Sequence, residues 1–220
     1  MGRKRRDAVF LGPPKKPRAL AKNFPRADGL PLDQWFRAHW DGRPAEPDRG
    51  CWWFASFTPP AVGEGRFDLP EPRGTCYFAD DIEAAVRERA GRRWGTGRFL
   101  PPAALAGTTV SHVDLRPYTD GHHVADVDHR DAVGYVTREL YGGARYKLTQ
   151  RHADAFDKAG FRALRYRPRS TPGDPAALAL FGAAGRPEPP RPAAEVPDWR
   201  TQLRSKVRDT VKRSRATIIS

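Results

Sequence analysis

Gly65-Arg66-Phe67-Asp68-Leu69-Pro70, continuing through Gly74-Thr75-Cys76-Tyr77-Phe78-Ala79 into a helical stretch that stops near Gly91, is the part of this 220-residue chain whose reading decides the fold. Residues 75–79 are β-branched, aromatic and apolar between Gly74 and Asp80, the pattern of a buried strand. Asp80 followed three positions later by Glu83 forms an acidic capping box and predicts a helix from Asp81, with both acids at the positive end of its dipole. Ile82, Ala85, Val86 and Arg89 share one face of that helix, Glu88 lies on its flank, and Gly91 is the expected C-terminal stop. Arg66 and Tyr77 are eleven positions apart, as are Tyr77 and Glu88. One loop-strand-helix unit therefore has the means to aim a cation, an aromatic face and a carboxylate at a common cleft. Spacing alone also fits a solvated glutamate and an ordinary loop arginine, because charged side chains are mostly exposed.

Outward from this unit, residues 32–39 (LDQWFRAH) read as the first strand or turn of a domain beginning near residue 30, and Cys51-Trp52-Trp53-Phe54-Ala55 reads as a core anchor. Residues 109–115 are β-rich. A helix is expected over 131–141, ended by Gly142-Gly143, and a second over 148–159, ended by Gly160. Residues 161–167 form a strand, Pro172-Gly173 a turn, and residues 177–181 a closing strand. His112, His122, His123 and Asp126 lack metal-ligand spacing, so no metal is expected.

The net charge of +13 belongs to the ends of the chain. Residues 1–26 hold nine Lys or Arg against Asp7, and residues 200–220 hold seven against Asp209, which leaves the body nearly neutral. The division expected is a basic disordered arm (1–29), a domain (30–184), a Pro-rich linker (185–198) and a basic amphipathic tail helix (199–220). Trp199, Leu203, Val207 and Val211 recur every four residues in that tail, which favours docking on its own domain. Weak contact of the basic ends with nucleic acid is a second possibility. No run of about 18 apolar residues suggests a membrane span. Two cysteines in no metal spacing, with no signal-peptide pattern, suggest a reducing, cytoplasmic setting.

The strings GRFDLPEPRGTCYFADDIEAAVRE and YKLTQRHADAFDKAGFRALRYRPRSTPGDPAALALFG, together with Arg37 and His39 as an Arg-x-His element, resemble the RES domain family, named for an arginine, a glutamate and a serine. The resemblance implies an α+β fold similar to ADP-ribosyltransferase toxins, and cleavage of NAD at its nicotinamide-ribose bond by hydrolysis, phosphorolysis or ADP-ribosyl transfer. NAD is then a substrate, with no cofactor, and the chain is a toxin with a cognate antitoxin as partner. By matching position Arg66 and Glu88 take catalytic roles, and Arg66 and Tyr77 bind substrate. The family serine falls on Pro168, which has no hydroxyl. Ser170, two residues on and on the same side of an extended strand, is the substitute expected. The departure also allows an inactive domain that binds partners through its basic ends.

Overall fold

The computed structural model describes residues 11–40, 50–91, 105–142 and 146–216, with side chains through residue 207. In chain order these residues form α1 (Pro17–Asn23), β1 (Trp35–Trp40), β2 (Ser56–Phe57), β3 (Leu69–Pro70), β4 (Arg73–Ala79) and α2 (Ile82–Ala90). They continue with β5 (Thr108–Val113), β6 (Val124–Asp126), α3 (Glu139–Gly142), α4 (Tyr146–Lys158), β7 (Ala163–Tyr166), β8 (Ala177–Ala183), β9 (Ala194–Glu195) and α5 (Trp199–Ala216). The architecture is α+β, built on a mixed seven-stranded sheet in the order β6-β7-β8-β4-β1-β5-β9, with β2 and β3 as a separate parallel pair. Only β6 and β7 run parallel within the large sheet.

The strand expected to close the domain, β8, lies inside the sheet between β7 and β4. Its sequence ALALFGA is apolar on both faces because both are covered. Leu178 and Leu180 join Trp35, Phe54, Cys76 and Phe78 on one side, while Ala177, Ala179 and Phe181 join Phe67, Phe156 and Tyr166 on the other. Gly182 lies under the Phe54 ring, where an added Cβ would come within 2.5 Å of Cε1. A third cluster packs α2 and α5 together through Ile82, Val86, Val110, Trp199 and Leu203.

Helix α2 begins one residue later than the capping-box reading predicts. Asp81 is the N-cap, its Oδ1 accepting from the amides of Glu83 and Ala84. Asp80 instead accepts the Ala176 amide and ties the end of β4 to the start of β8. Gly91 ends the helix at φ +51°, a conformation that favours glycine. The helix expected over 131–141 is two short pieces, a 3-10 turn at Arg130–Gly134 and α3. Gly134, which loses most backbone entropy in a helix, and β-branched Val136 and Thr137 interrupt it. Of its expected stop, Gly143 lies outside the described residues.

The ends of the chain are more ordered than their composition suggests. Residues 1–10, including Arg3-Lys4-Arg5-Arg6, lie outside the described residues. The rest of the expected arm is folded. Pro17 presets the first turn of α1, Leu20 is buried, and Phe24 meets Phe156 edge-on at 4.6 Å. His152 of α4, 1% exposed, holds the carbonyl of Gly12 through Nε2 at 2.9 Å. The segment expected as a linker supplies β9 to the sheet edge and sets Arg191 over Tyr118 at 4.1 Å and over Trp52 at 5.1 Å. Helix α5 docks on its own domain through Trp199, 2% exposed, and Leu203. The side chain of Val211 lies outside the described residues.

Two measurements check this packing. Trp199→Ala opens a cavity under α5 and is expected to cost about 3–5 kcal/mol in a urea unfolding titration. Burial pushes the His152 imidazole below its ordinary value of 6.5. The unfolded chain then takes up a proton near pH 6.5 that the folded chain resists, so this contribution is full above that pH and is lost as pH falls below it. His152→Gln is expected to flatten the difference in urea midpoint between pH 7.5 and 5.5; an unchanged difference would rule out this origin.

Candidate functional site

The loop before β3 is fixed almost atom by atom. Asp68, 1% exposed, accepts the Gly65 amide at 2.7 Å and the Tyr77 hydroxyl at 2.8 Å. The same hydroxyl accepts the Phe67 amide at 2.8 Å. Thr75 Oγ1 donates to the Phe67 carbonyl, Thr149 Oγ1 to that of Arg66, and Gln150 Nε2 to those of Gly63 and Gly65. A Cβ on Gly65 would lie 2.3 Å from Asp68 Oδ1 and 2.6 Å from the Tyr77 oxygen, so only glycine lets the loop close over the strand. With the loop's carbonyls and amides held from β4 and α4, the Arg66 side chain leaves it in a set direction. Its guanidinium stands over the Tyr146 ring, 5.2 Å from the centroid.

Arg66, Tyr77, Glu88 and Ser170 all line one cleft of about 690 Å³. That volume lies within the range of small-molecule sites. The structure therefore brings the three groups eleven residues apart to a single cavity. Sheet register explains how. Tyr77 of β4 pairs with Ala179 of β8, and Tyr166 of β7 pairs with Ala177. Ala177 and Ala179 are fully buried in the core, while the two tyrosines paired with them line the cleft.

The environment of each group differs from a plain solvated one. Burial pushes the Glu88 carboxyl above its ordinary value, against the opposing pull of the Arg66 charge and a Tyr166 hydroxyl. The Tyr166 oxygen lies 3.4 Å from Glu88 Oε2. Burial, and then the nearby Asp68, keep Tyr77 a neutral phenol far above its ordinary range. Its hydroxyl is occupied by the loop, so what Tyr77 gives the cleft is its ring. Asp68 is itself raised by burial.

Ser170 and Pro168 do not share a side, as a continued strand would require. Strand β7 stops at Tyr166, so the two-residue alternation ends there. Pro168 is buried, whereas Ser170 is exposed on the following turn, its carbonyl accepting from Arg87 Nη1 at 3.3 Å. Arg37 donates from Nη1 to the carbonyls of Cys51 and Trp53 and contacts Cys76 Sγ. His39 Nε2 meets Ser111 Oγ at 2.9 Å. Of the groups weighed as metal ligands, His122 and His123 meet edge-on with centroids 5.4 Å apart and His123 pairs with Asp120, while His112 packs on Phe36 and Asp126 binds Arg165.

Tyr166, Tyr146, Asp68 and Gln150 are members of the site that sequence reasoning missed. Asp68 carried a faint signal, an acid inside an apolar strand-turn segment. Tyr166 carried one too, standing at the tyrosine of the family's Tyr-x-Ser-Arg pattern, though no role was assigned to it; Tyr146 and Gln150 carried none, since their roles arise from contacts across the chain.

Tyr77→Phe removes one hydroxyl and leaves both the Phe67 amide and Asp68 without their partner. A loss of about 1–3 kcal/mol is expected by urea denaturation. A variant as stable as the parent would show that this bond does not hold the loop.

Among solved structures, a chain in the crystal structure of the M. tuberculosis MbcT-MbcA toxin-antitoxin complex is similar, with 18% sequence identity over 79% of this chain and 89% of that one, at a TM-score of 0.49. No curated protein matches the sequence significantly. The family model described as RES domain matches residues 32–204, which takes in every strand of the large sheet, the loop bearing Arg66, the helix bearing Glu88 and the start of α5, and the chain therefore belongs to the RES domain family.

Proposed function

We propose that this protein cleaves NAD at the bond between nicotinamide and ribose. One observation carries the reading: a guanidinium and a partly buried carboxylate whose pKa is raised by desolvation line the same nucleotide-sized cleft, beside tyrosine rings. NAD offers a partner to each. Its pyrophosphate suits the planar, two-pronged donor of Arg66. Its nicotinamide ring suits an aromatic wall such as the Tyr77 ring.

As the C1′–N bond breaks, the bonding electron pair leaves with nicotinamide, which becomes neutral, and positive charge grows on the ribose. A carboxylate held near the ribose stabilises charge that appears only in the transition state, which is the condition for accelerating the step. Glu88 takes that role. Water or inorganic phosphate then adds at C1′, giving hydrolysis or phosphorolysis. Ser170, on the exposed turn at the cleft edge, is the residue proposed to meet the acceptor in place of the hydroxyl that Pro168 lacks. A cognate antitoxin partner, and action as a toxin, follow from the family resemblance.

Purified protein incubated with NAD is expected to release nicotinamide. Glu88→Gln should lower kcat by about 10²-fold or more. Arg66→Ala should chiefly raise KM, by about ten- to a hundredfold for the loss of a charge-assisted contact. Because burial raises the Glu88 carboxyl above 4.5, activity should fall with decreasing pH through a limb lying above that value. Absence of nicotinamide release by the folded parent protein sinks the reading. Salt-sensitive nucleic-acid binding by a protein that stays folded, lost on replacing Arg3, Lys4, Arg5, Arg6, Lys212, Arg213 and Arg215 by Gln, would then favour the inactive partner-binding domain.

A further inference from the structure

We infer that Tyr166 is a positioning residue, one side chain that holds Glu88 as a carboxylate and in register with the Arg66 loop. It ends β7 and is 3% exposed. Its two contacts face different parts of the site. The hydroxyl lies 3.4 Å from Glu88 Oε2. The ring meets Phe67 edge-to-face, with centroids 5.0 Å apart and planes at 68°. Phe67 is fully buried and follows Arg66 directly, so wherever the Tyr166 ring sits, the Arg66 loop sits with it.

Groups from several elements share the cavity with Glu88. Arg66 on the loop and Tyr166 on β7 act on it directly, while Glu64 and Asp68 on the loop, Tyr77 on β4, Arg87 and Arg89 on its own helix, Tyr141 on α3, Tyr146 on α4, Arg169 after β7 and Arg37 on β1 line the same cavity. Arg37 is turned to backbone carbonyls. Burial favours the protonated acid, and Arg66 and the Tyr166 hydroxyl oppose it. These two supports differ once an anion arrives. A pyrophosphate on Arg66 offsets its positive field, whereas a phenol hydroxyl keeps donating. In the substrate complex Tyr166 is then the main group that keeps Glu88 ionised when its charge is needed. That step rests on the NAD reading; the coupling of Tyr166 to Glu88 does not.

The test separates the two. Protein carrying ¹³C-carboxyl glutamate is titrated by NMR, with Glu88→Gln used to assign the resonance. Tyr166→Phe keeps the ring against Phe67 and deletes only the hydroxyl. It is expected to raise the Glu88 pKa by about one unit. In nicotinamide release, the acid limb of kcat should move upward more than that of kcat/KM, because the former reports the complex. Tyr166→Leu, which also removes the ring contact, should add a rise in KM. A Glu88 titration unchanged in Tyr166→Phe overturns the proposal. Should that variant fail to fold, the Tyr166 Cζ resonance decides: it should move between the parent and Glu88→Gln, and its constancy is equally fatal. A shifted Glu88 titration without any nicotinamide release by the parent would retain the coupling and discard the NAD reading.

Discussion

A buried carboxylate and the phenol hydroxyl of a partly buried tyrosine, facing each other across one hydrogen bond, set the form of this molecule's cleft. Asp68 and Tyr77 lie where an unpaired polar group would be costly, and each is satisfied by the other and by a backbone amide. Their pairing dictates the course of the chain between Gly63 and Leu69. Gly65 has no room for a side chain, Thr149 and Gln150 close the remaining carbonyls, and Arg66 is left as the side chain pointing out of a rigid turn. Such pre-organisation favours binding, because little loop entropy remains to be lost when a ligand arrives.

The sheet supplies the second constraint. β8 separates the tyrosine strands β4 and β7, and its inward positions opposite the two rings are alanines. Both alanines are packed in the core, and the tyrosines they pair with reach from it to the cleft wall. Helix α2 crosses beside β1 and brings Glu88 from the other side, anchored by an apolar face that includes Ile82, Ala85 and Val86. Behind it, Trp199 and Leu203 of α5 brace the same helix, so this part of the C-terminal segment belongs to the support of the site. Arg191 closes the opposite face of the sheet by standing on Tyr118, Trp52 and Phe54, a set of contacts among the most favourable a cation makes with aromatic rings.

Composition misled at both ends for one reason. Proline and arginine are enriched in unstructured segments, but Leu20 and Phe24 seat α1 in the main core, and β9, Arg191 and backbone bonds from Gly185 to Phe54 and Val196 to Val110 hold residues 185–196. A few large contacts outweigh a polar average. The capping box failed by one residue on similar grounds: Asp80 and Asp81 are equivalent caps by chemistry, and a long-range amide from Ala176 took the first.

What the sequence by itself determined was local: the strand around Tyr77, the helix bearing Glu88 and its stop at Gly91, the spacing of Arg66, Tyr77 and Glu88, and the family to which those strings belong. These follow from period, turn chemistry and short-range caps, which act between neighbours in the chain. Only the tertiary structure decided that Tyr77 spends its hydroxyl on the loop, that Pro168 is buried while Ser170 is exposed, that Tyr166 meets both Glu88 and Phe67, and that the tail helix braces α2. Each of those depends on which side chains the folded backbone brings together, by loop closure for Tyr77, by the end of β7 for Pro168 and Ser170, and by packing between elements far apart in the chain for Tyr166 and the tail helix, rather than on any local preference.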